Sequence, residues 1–385
     1  MIYLDNAATS GKKPKSVVSS VILALNEYSA NPGRGGHTLS VKTSEKVYEA
    51  RKKVCDFFGA KGEERVIFTP SCTYGLNFAI KGAMRRGEHI IISSMEHNAV
   101  SRPVETIRRM GAEVDVAEVI FGDEEATLRS FERLIKKNTK AIVLTHASNV
   151  TGEIFPIEKL GALCKLKGII FIVDAAQTAG VIPINTKEMN IDFLCIAPHK
   201  GLFAPMGTGI LIANSDLPYT LIEGGTGAYS ALNVQPKDYP ERLESGTLNL
   251  PGIMGISAGI DFVKEKGIKK IHSYELGLVK MLYNGLTKIS GIELYTPFPK
   301  EESFVPLLSF NIRSADSSFV AKKLSDMGIA VRGGLHCAPY AHKRLGTIGR
   351  GTVRVSPSVF NSTNDIQKTL EAIKIISSQI AGNNK

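Results

Sequence analysis

Tryptophan is absent, and cysteine is scarce, with five residues in 385. No two cysteines form a Cys-x-x-Cys unit and no His/Cys cluster has zinc-ligand spacing, so no metal is expected. An odd, sparse set suits reduced thiols in a reducing compartment rather than a disulfide framework. No apolar run approaches the roughly 20 residues of a membrane span. The opening MIYLDNAATS lacks the basic-then-apolar pattern of a signal peptide, so a cytoplasmic location with no membrane association is expected. Internal repeats and low-complexity segments are missing too. Net charge is +10, yet the basic residues are scattered in pairs such as Lys52-Lys53, Arg85-Arg86, Lys136-Lys137 and Lys269-Lys270. None alternates with aromatics, which argues against nucleic acid and for an anionic small molecule or an acidic partner protein.

What is present is alternation. Apolar runs of strand length lie at 65–70, 89–94, 112–119, 140–148, 168–176, 192–198 and 207–213. Several are continuously apolar and β-branched, as parallel strands covered on both faces are. Helical periodicity separates them. SEKVYEARKKVCDFFGA places Val47, Ala50, Val54 and Phe57/Phe58 on one face, with Ser44 as the expected N-cap and Gly59 near the C-cap. PIEKLGALCKLKG opens with Pro156 in its first turn. A Gly-, Pro- and Tyr-rich section near 215–255 reads as long loops. Beyond it come helices near 254–266, 269–290 and 317–327, strands at 292–297, 306–312, 329–332 and 351–356, and a terminal helix ending in a frayed AGNNK. The length favours two domains. The expected fold is α/β: a large, doubly wound, mostly parallel sheet domain over 15–253, and a smaller α+β domain built from 1–14 and 254–385.

Ligands of open α/β sheets bind beyond the carboxyl ends of the strands. Asp174 closes the most apolar strand, with Gln177 three residues on. Ser71, Cys72 and Thr73 follow the strand at 65–70 and open a helix. His97 follows 89–94, Asn149 follows 140–148, and His199-Lys200 follows 192–198. A carboxylate, an amine, an imidazole and a helix N-terminus thus converge on one crevice. That set suits an anionic, aromatic, carbonyl-bearing ligand such as pyridoxal 5′-phosphate.

The segments YLDNAATS (3–10), RGGHT (34–38), EAR (49–51), MEHNAV (95–100), SNVTGE (148–153), DAAQ (174–177), HK (199–200), GTGIL (207–211), ESGTLN (244–249) and RGGLHCAP (332–339) occur in that order. Together they resemble the class V aminotransferase family of pyridoxal-phosphate enzymes of fold type I, and within it the cysteine desulfurase and selenocysteine lyase branch. The short RGGLHCAP loop resembles the group II type, for which fast turnover is expected to need an acceptor.

The resemblance implies the cofactor pyridoxal 5′-phosphate and a set of roles. Lys200 carries the cofactor and removes the substrate Cα proton. Asp174 pairs with the ring nitrogen, Gln177 contacts the phenolic oxygen and His97 stacks on the ring. Ser71, Cys72, Thr73 and His199 surround the phosphate, with Thr247 contributed from the other subunit of a homodimer. Asn149, Arg354, Arg332 and His336 serve the substrate, His336 either in proton transfer or in shaping its loop. Cys337 takes the sulfur. It is the one cysteine in a Gly-rich loop, near Arg332, His336 and His342, and such surroundings favour an exposed thiolate.

The implied reaction converts L-cysteine, or L-selenocysteine, to L-alanine and passes the sulfur to an acceptor protein or a small thiol. Another class V reaction, such as transamination or epimerisation, is the alternative. Two places depart from the family pattern. Ala197-Pro198 stands where a phosphate-binding serine is common, and Ser71-Cys72-Thr73 replaces a Gly-Thr-Thr type turn. GGTG (224–227) lacks the strand–loop–helix context of a phosphate loop and reads as a flexible loop near the dimer interface.

Overall fold

The structure, a computed structural model, describes residues 1–33 and 36–383. Arg34-Gly35 of the RGGHT motif and the last two residues of the tail expected to fray lie outside them.

After a short β1 (Ile2–Tyr3), the chain builds β2 (Val66–Thr69), β3 (His89–Ser93), β4 (Glu113–Ala117), β5 (Thr139–Thr145), β6 (Ile170–Asp174), β7 (Phe193–Ile196) and β8 (Gly209–Ala213). These last seven form one sheet in the order β2-β8-β7-β6-β5-β3-β4. β8 runs antiparallel to both neighbours, and the other recorded pairings are parallel. Side chains alternate faces along each strand. Ile91, Ile142, Phe171, Val173 and Leu194 pack on one side. Ile90, Val143, Ile172, Phe193 and Cys195 pack on the other. Burial of both faces explains why these segments are apolar throughout rather than alternating.

The first side is covered by α2 (Thr38–Phe58), α6 (Ile157–Lys167) and α7 (Leu250–Lys266), the second by α3 (Cys72–Ala83) and α4 (Asn98–Arg109). Helix α2 starts seven residues earlier than the sequence suggests. His37 is its N-cap, with Nδ1 accepting from Ser40 N at 3.3 Å. Ser44 lies inside the helix and donates to Ser40 O. The Thr38–Thr43 stretch hides this start because Leu39 and Val41 alternate with polar residues, a period of two rather than that of a helix. Gly59 closes the helix at φ 64°, a left-handed position suited to glycine. Pro156 is the N-cap residue of α6, one place before the first turn.

A second layer holds β9 (Ile292–Leu294), β10 (Leu308–Ile312), β11 (Ile329–Ala330), β12 (Arg332–Gly334) and β13 (Thr352–Val355). The antiparallel order is β12-β13-β10-β9, and β1 pairs parallel with β11. Helices α8 (Ile268–Leu286) and α11 (Thr363–Asn383) enclose a separate core with Leu276, Leu282, Phe310, Val353 and Ile373. Leu4 packs in that core. The expected boundary at 253/254 falls inside α7, and Ile256, Ile260 and Val263 of that helix pack in the core of the large sheet. No helix among the described residues is long and apolar enough to cross a membrane.

Candidate active site

At the carboxyl ends of the parallel strands lies a cavity of about 220 Å³. Ser71, Cys72, Thr73, His97, Asn149, Asp174, Gln177, His199, Lys200, Arg332, His336 and Arg354 all line it. The four loop segments after β2, β3, β5 and β7 and the tip of β6 supply the floor. Strand β12 and strand β13 supply the arginines from the second layer. The two outliers are Cys337, which sits at the rim, and Thr247, which lies on an exposed segment beside a different cavity with Thr69, Tyr74 and Asn249.

The floor is built from helix starts. Ser71 caps α3, its Oγ accepting from Tyr74 N at 3.4 Å, which aims the positive end of that helix at the cavity. His97 caps α4 through Nδ1, which accepts from Ala99 N at 3.0 Å. Its proton therefore sits on Nε2. Burial, opposed by Asp174 and helped by Lys200 and Arg332, lowers the His97 pKa to about 4, so the ring is neutral. Asp174 Oδ1 accepts from Ala176 N at 2.9 Å and from the Cys72 thiol at 3.6 Å. Burial and the Asp174 charge hold that thiol far above its usual pKa, so it stays a donor.

Lys200 is the unusual group. Among the described residues its amine has no recorded hydrogen bond or ion pair, and burial pulls its pKa down against the attraction of Asp174. The preceding residue is held firmly. The His199 carbonyl accepts from Ser10 N at 3.0 Å, Ser10 Oγ at 3.0 Å and Lys13 Nζ at 3.1 Å. His199 Nδ1 is buried without a partner, and burial lowers the ring's pKa to about 4. Gln177 Nε2 donates to Ala7 O at 3.1 Å.

Two arginines face each other across β12 and β13. Arg354 is fully buried; Nη2 pairs with Asp5 Oδ1 at 2.9 Å and Nη1 donates to Asn149 O at 2.9 Å. Its Nε has no partner. Asn149 Nδ2 in turn donates to His336 O at 2.7 Å. His336 Nε2 meets Thr352 O at 3.0 Å, and burial takes its pKa to about 2. A ring that stays neutral and bonded to a strand suits the loop-shaping role better than proton transfer. His342 does not face the thiol either: it is buried against Thr347 Oγ1 at 2.7 Å.

Cys337 is the only exposed cysteine of the five. His336 and Cys337 occupy consecutive left-handed conformations at φ 48° and 56°, uncommon outside glycine. The turn is held by Asn98 N donating to Cys337 O at 2.7 Å, which ties the thiol loop to the start of α4 beside His97. Sequence reading missed Asp5, Ser10, Lys13 and Glu96. Asp5, Ser10 and Glu96 lie inside quoted motifs, but their partners are distant in sequence.

A half-buried amine, a neighbouring strand-end carboxylate, a capping imidazole and a helix N-terminus on a mostly parallel sheet define the fold of type I pyridoxal-phosphate enzymes. The aminotransferase class-V family model matches residues 2–369, and the chain belongs to that family. It is 35% identical to a probable cysteine desulfurase of Pyrococcus abyssi and 32% identical to one of Methanothermobacter thermautotrophicus. Each match covers 97% of this chain and 94% of the relative. The solved apo cysteine desulfurase of Thermococcus onnurineus NA1 superposes with a TM-score of 0.89 at 34% identity, over 98% of this chain and 95% of that one. A cysteine desulfurase of Escherichia coli in its S-sulfonic acid form shares the fold, with a TM-score of 0.87 at 24% identity over 98% and 94%.

Proposed function

We propose that this chain is a pyridoxal-phosphate-dependent cysteine desulfurase: it converts L-cysteine to L-alanine and keeps the sulfur as a persulfide on Cys337. The observation that carries this reading is the half-buried, unpartnered Lys200 amine in one cavity with Asp174, with the single exposed thiol at the rim.

The residues fit the cofactor. The orphaned His199 Nδ1, the capped start of α3 and the hydroxyls of Ser71 and Thr73 supply donors for a phosphate. Ala197 offers only a methyl at the cavity wall, and Ser71 supplies a hydroxyl there instead. Asp174 would hold a proton at the ring nitrogen, Gln177 would meet the phenolic oxygen, and the neutral His97 ring would stack. When bound, the cofactor withdraws electrons from the substrate Cα.

Lys200 then acts as the base. Its burial favours the neutral amine that a Cα proton needs as acceptor. Arg354, with Nε still free, and Arg332 attract the substrate carboxylate, and Asn149 stands between Arg354 and the thiol loop. Cys337 Sγ attacks the substrate sulfur. The Cβ–S bond breaks, its electron pair stays on carbon and takes up a proton to give the alanine methyl, and an S–S bond forms on the enzyme. An acceptor protein or a small thiol removes the outer sulfur. Thr247 lies apart from this chain's own cavity, which supports a homodimer in which it serves the partner's site. The two-unit division, a cytoplasmic location and acceptance of L-selenocysteine belong to the same reading.

Purified protein supplied with pyridoxal phosphate, L-cysteine and a reductant should release sulfide and alanine in equal amounts. Pyruvate, or alanine without sulfide, would overturn the proposal in favour of another class V reaction.

A further inference from the structure

Glu96 precedes His97 and has no exposed surface. Its Oε1 accepts from Ser93 Oγ at 2.5 Å and from Thr145 N at 2.9 Å. Ser93 ends β3 and Thr145 ends β5, two strands paired side by side. Thr145 lies opposite Asp174 on β6. One carboxyl therefore ties the turn that carries His97 to the strand tip next to Asp174. Oε2 is buried with no hydrogen-bond partner, and no cation among the described residues forms an ion pair with it. Asp174 is the charged group acting on it, and it is an anion. His146, one residue past Thr145, is neutral, since burial takes its pKa to about 3.

An ionised carboxylate here would be an uncompensated buried charge facing another. Burial and Asp174 raise the Glu96 pKa to about 8 against its two hydrogen bonds. We propose that Glu96 is a positioning residue that works as a neutral carboxylic acid, holding His97 over the cavity while sparing Asp174 a second negative charge close by. A charged Glu96 would compete with Asp174 for any nearby positive charge. A shorter or apolar side chain would release the β3–α4 turn.

The inference rests on the reading that the cavity holds pyridoxal phosphate, and the test separates the two. Glu96→Gln keeps a neutral side chain with an oxygen acceptor, whereas Glu96→Ala keeps neither oxygen nor reach. Binding of pyridoxal phosphate and a pH titration of the bound chromophore are measured on both variants and the parent. Glu96→Gln should bind within about twofold of the parent, with an unshifted titration midpoint, while Glu96→Ala should bind about tenfold more weakly.

A midpoint displaced downward in Glu96→Gln would mean that an anion had been removed, and would overturn the neutral state. Parental affinity in Glu96→Ala would overturn the positioning role. If Glu96→Ala does not fold, Glu96→Asp, which keeps the acid but shortens it, makes the same comparison. The infrared difference between cofactor-free parent and Glu96→Gln near neutral pH should contain the carbonyl band of one protonated carboxyl, beyond that of the equally buried Glu275, and reports the charge state even if the parent binds no cofactor. Its absence would overturn the neutral acid, while failure of the parent to bind pyridoxal phosphate would overturn only the function.

Discussion

Arg332 Nη2 lies 3.9 Å from Cys337 Sγ. The guanidinium lines the cavity while the thiol stands at its rim, so one side chain connects the cavity and the thiol proposed to carry the sulfur. A cation beside a thiol favours the thiolate. Arg332→Gln should slow alkylation of Cys337 by iodoacetamide about threefold to tenfold near neutral pH. Cys337→Ala should abolish sulfide release while leaving pyridoxal-phosphate absorbance intact. Unchanged alkylation in Arg332→Gln would show that the contact has no electrostatic effect.

Lys200, the proposed base, weakens the cofactor-free fold. Burial lowers its folded pKa below the unfolded value, so the unfolded chain binds the proton more readily. The penalty is greatest below the folded pKa and is relieved as pH rises toward the unfolded value. Lys200→Met in cofactor-free protein should raise stability by about 1–3 kcal/mol, and more at lower pH. Thermal unfolding across pH checks the sign, while sulfide release should disappear.

Six histidines carry lowered pKa values, chiefly through burial: His97, His199 and His342 to about 4, His146 to about 3, His336 to about 2, and His89 in the same direction. The unfolded state takes up protons below roughly pH 6.5, where the folded state does not. Stability is therefore unaffected by these groups above that pH and falls as pH drops below it, by up to about 1.4 kcal/mol per pH unit for each. Glu96 and Glu275, each raised to about 8, and Glu153, raised by burial, oppose this above their unfolded value, but they are three against six. Denaturant unfolding between pH 4 and pH 7, about the range of these shifts, should show a steep acid-side loss. A flat profile would contradict the buried neutral histidines.

Gly201 follows the lysine, and a Cβ there would stand 2.4 Å from Ala179 O and 2.8 Å from Val181 Cγ2. A methyl must push the Lys200 backbone away from the neighbouring loop. Gly201→Ala should cost about 1–3 kcal/mol and weaken cofactor binding in the same protein. Parental stability would mean that the loop has slack at this point.

Arg354 has one carboxylate partner, Asp5, and is otherwise enclosed. Asp5→Asn leaves a buried guanidinium without its counter-charge and should destabilise the fold by about 3 kcal/mol. Arg354→Lys should instead raise the KM for L-cysteine about tenfold or more, since an ammonium cannot match a carboxylate with a planar fork. Steady-state kinetics on folded variants separate the two.

Much of the site was legible along the chain because its residues follow strands directly. Continuous apolar runs mark strands buried on both faces, and a parallel sheet brings their carboxyl ends to one edge. Asp174, His97, Asn149 and Lys200 could be placed on that edge by counting from the last apolar residue. Periodicity carried less where it alternated in a helix, as with Leu39 and Val41 in Thr38–Thr43, and it could not say that β8 runs antiparallel or that α7 packs on the large sheet. Those depend on which surfaces meet.

By itself the sequence determined the alternation of strand and helix, the chemical types gathered at the strand ends and the placement of one cysteine in a glycine-rich loop. Only the tertiary structure decided that Asp5 pairs with Arg354, 349 positions away, that Glu96 bridges β3 and β5, and that four cysteines are buried while Cys337 is not. The physical reason is range. Strand and helix patterns follow from spacings of two to four residues, whereas charge pairing and burial depend on surfaces brought together by chain closure over hundreds.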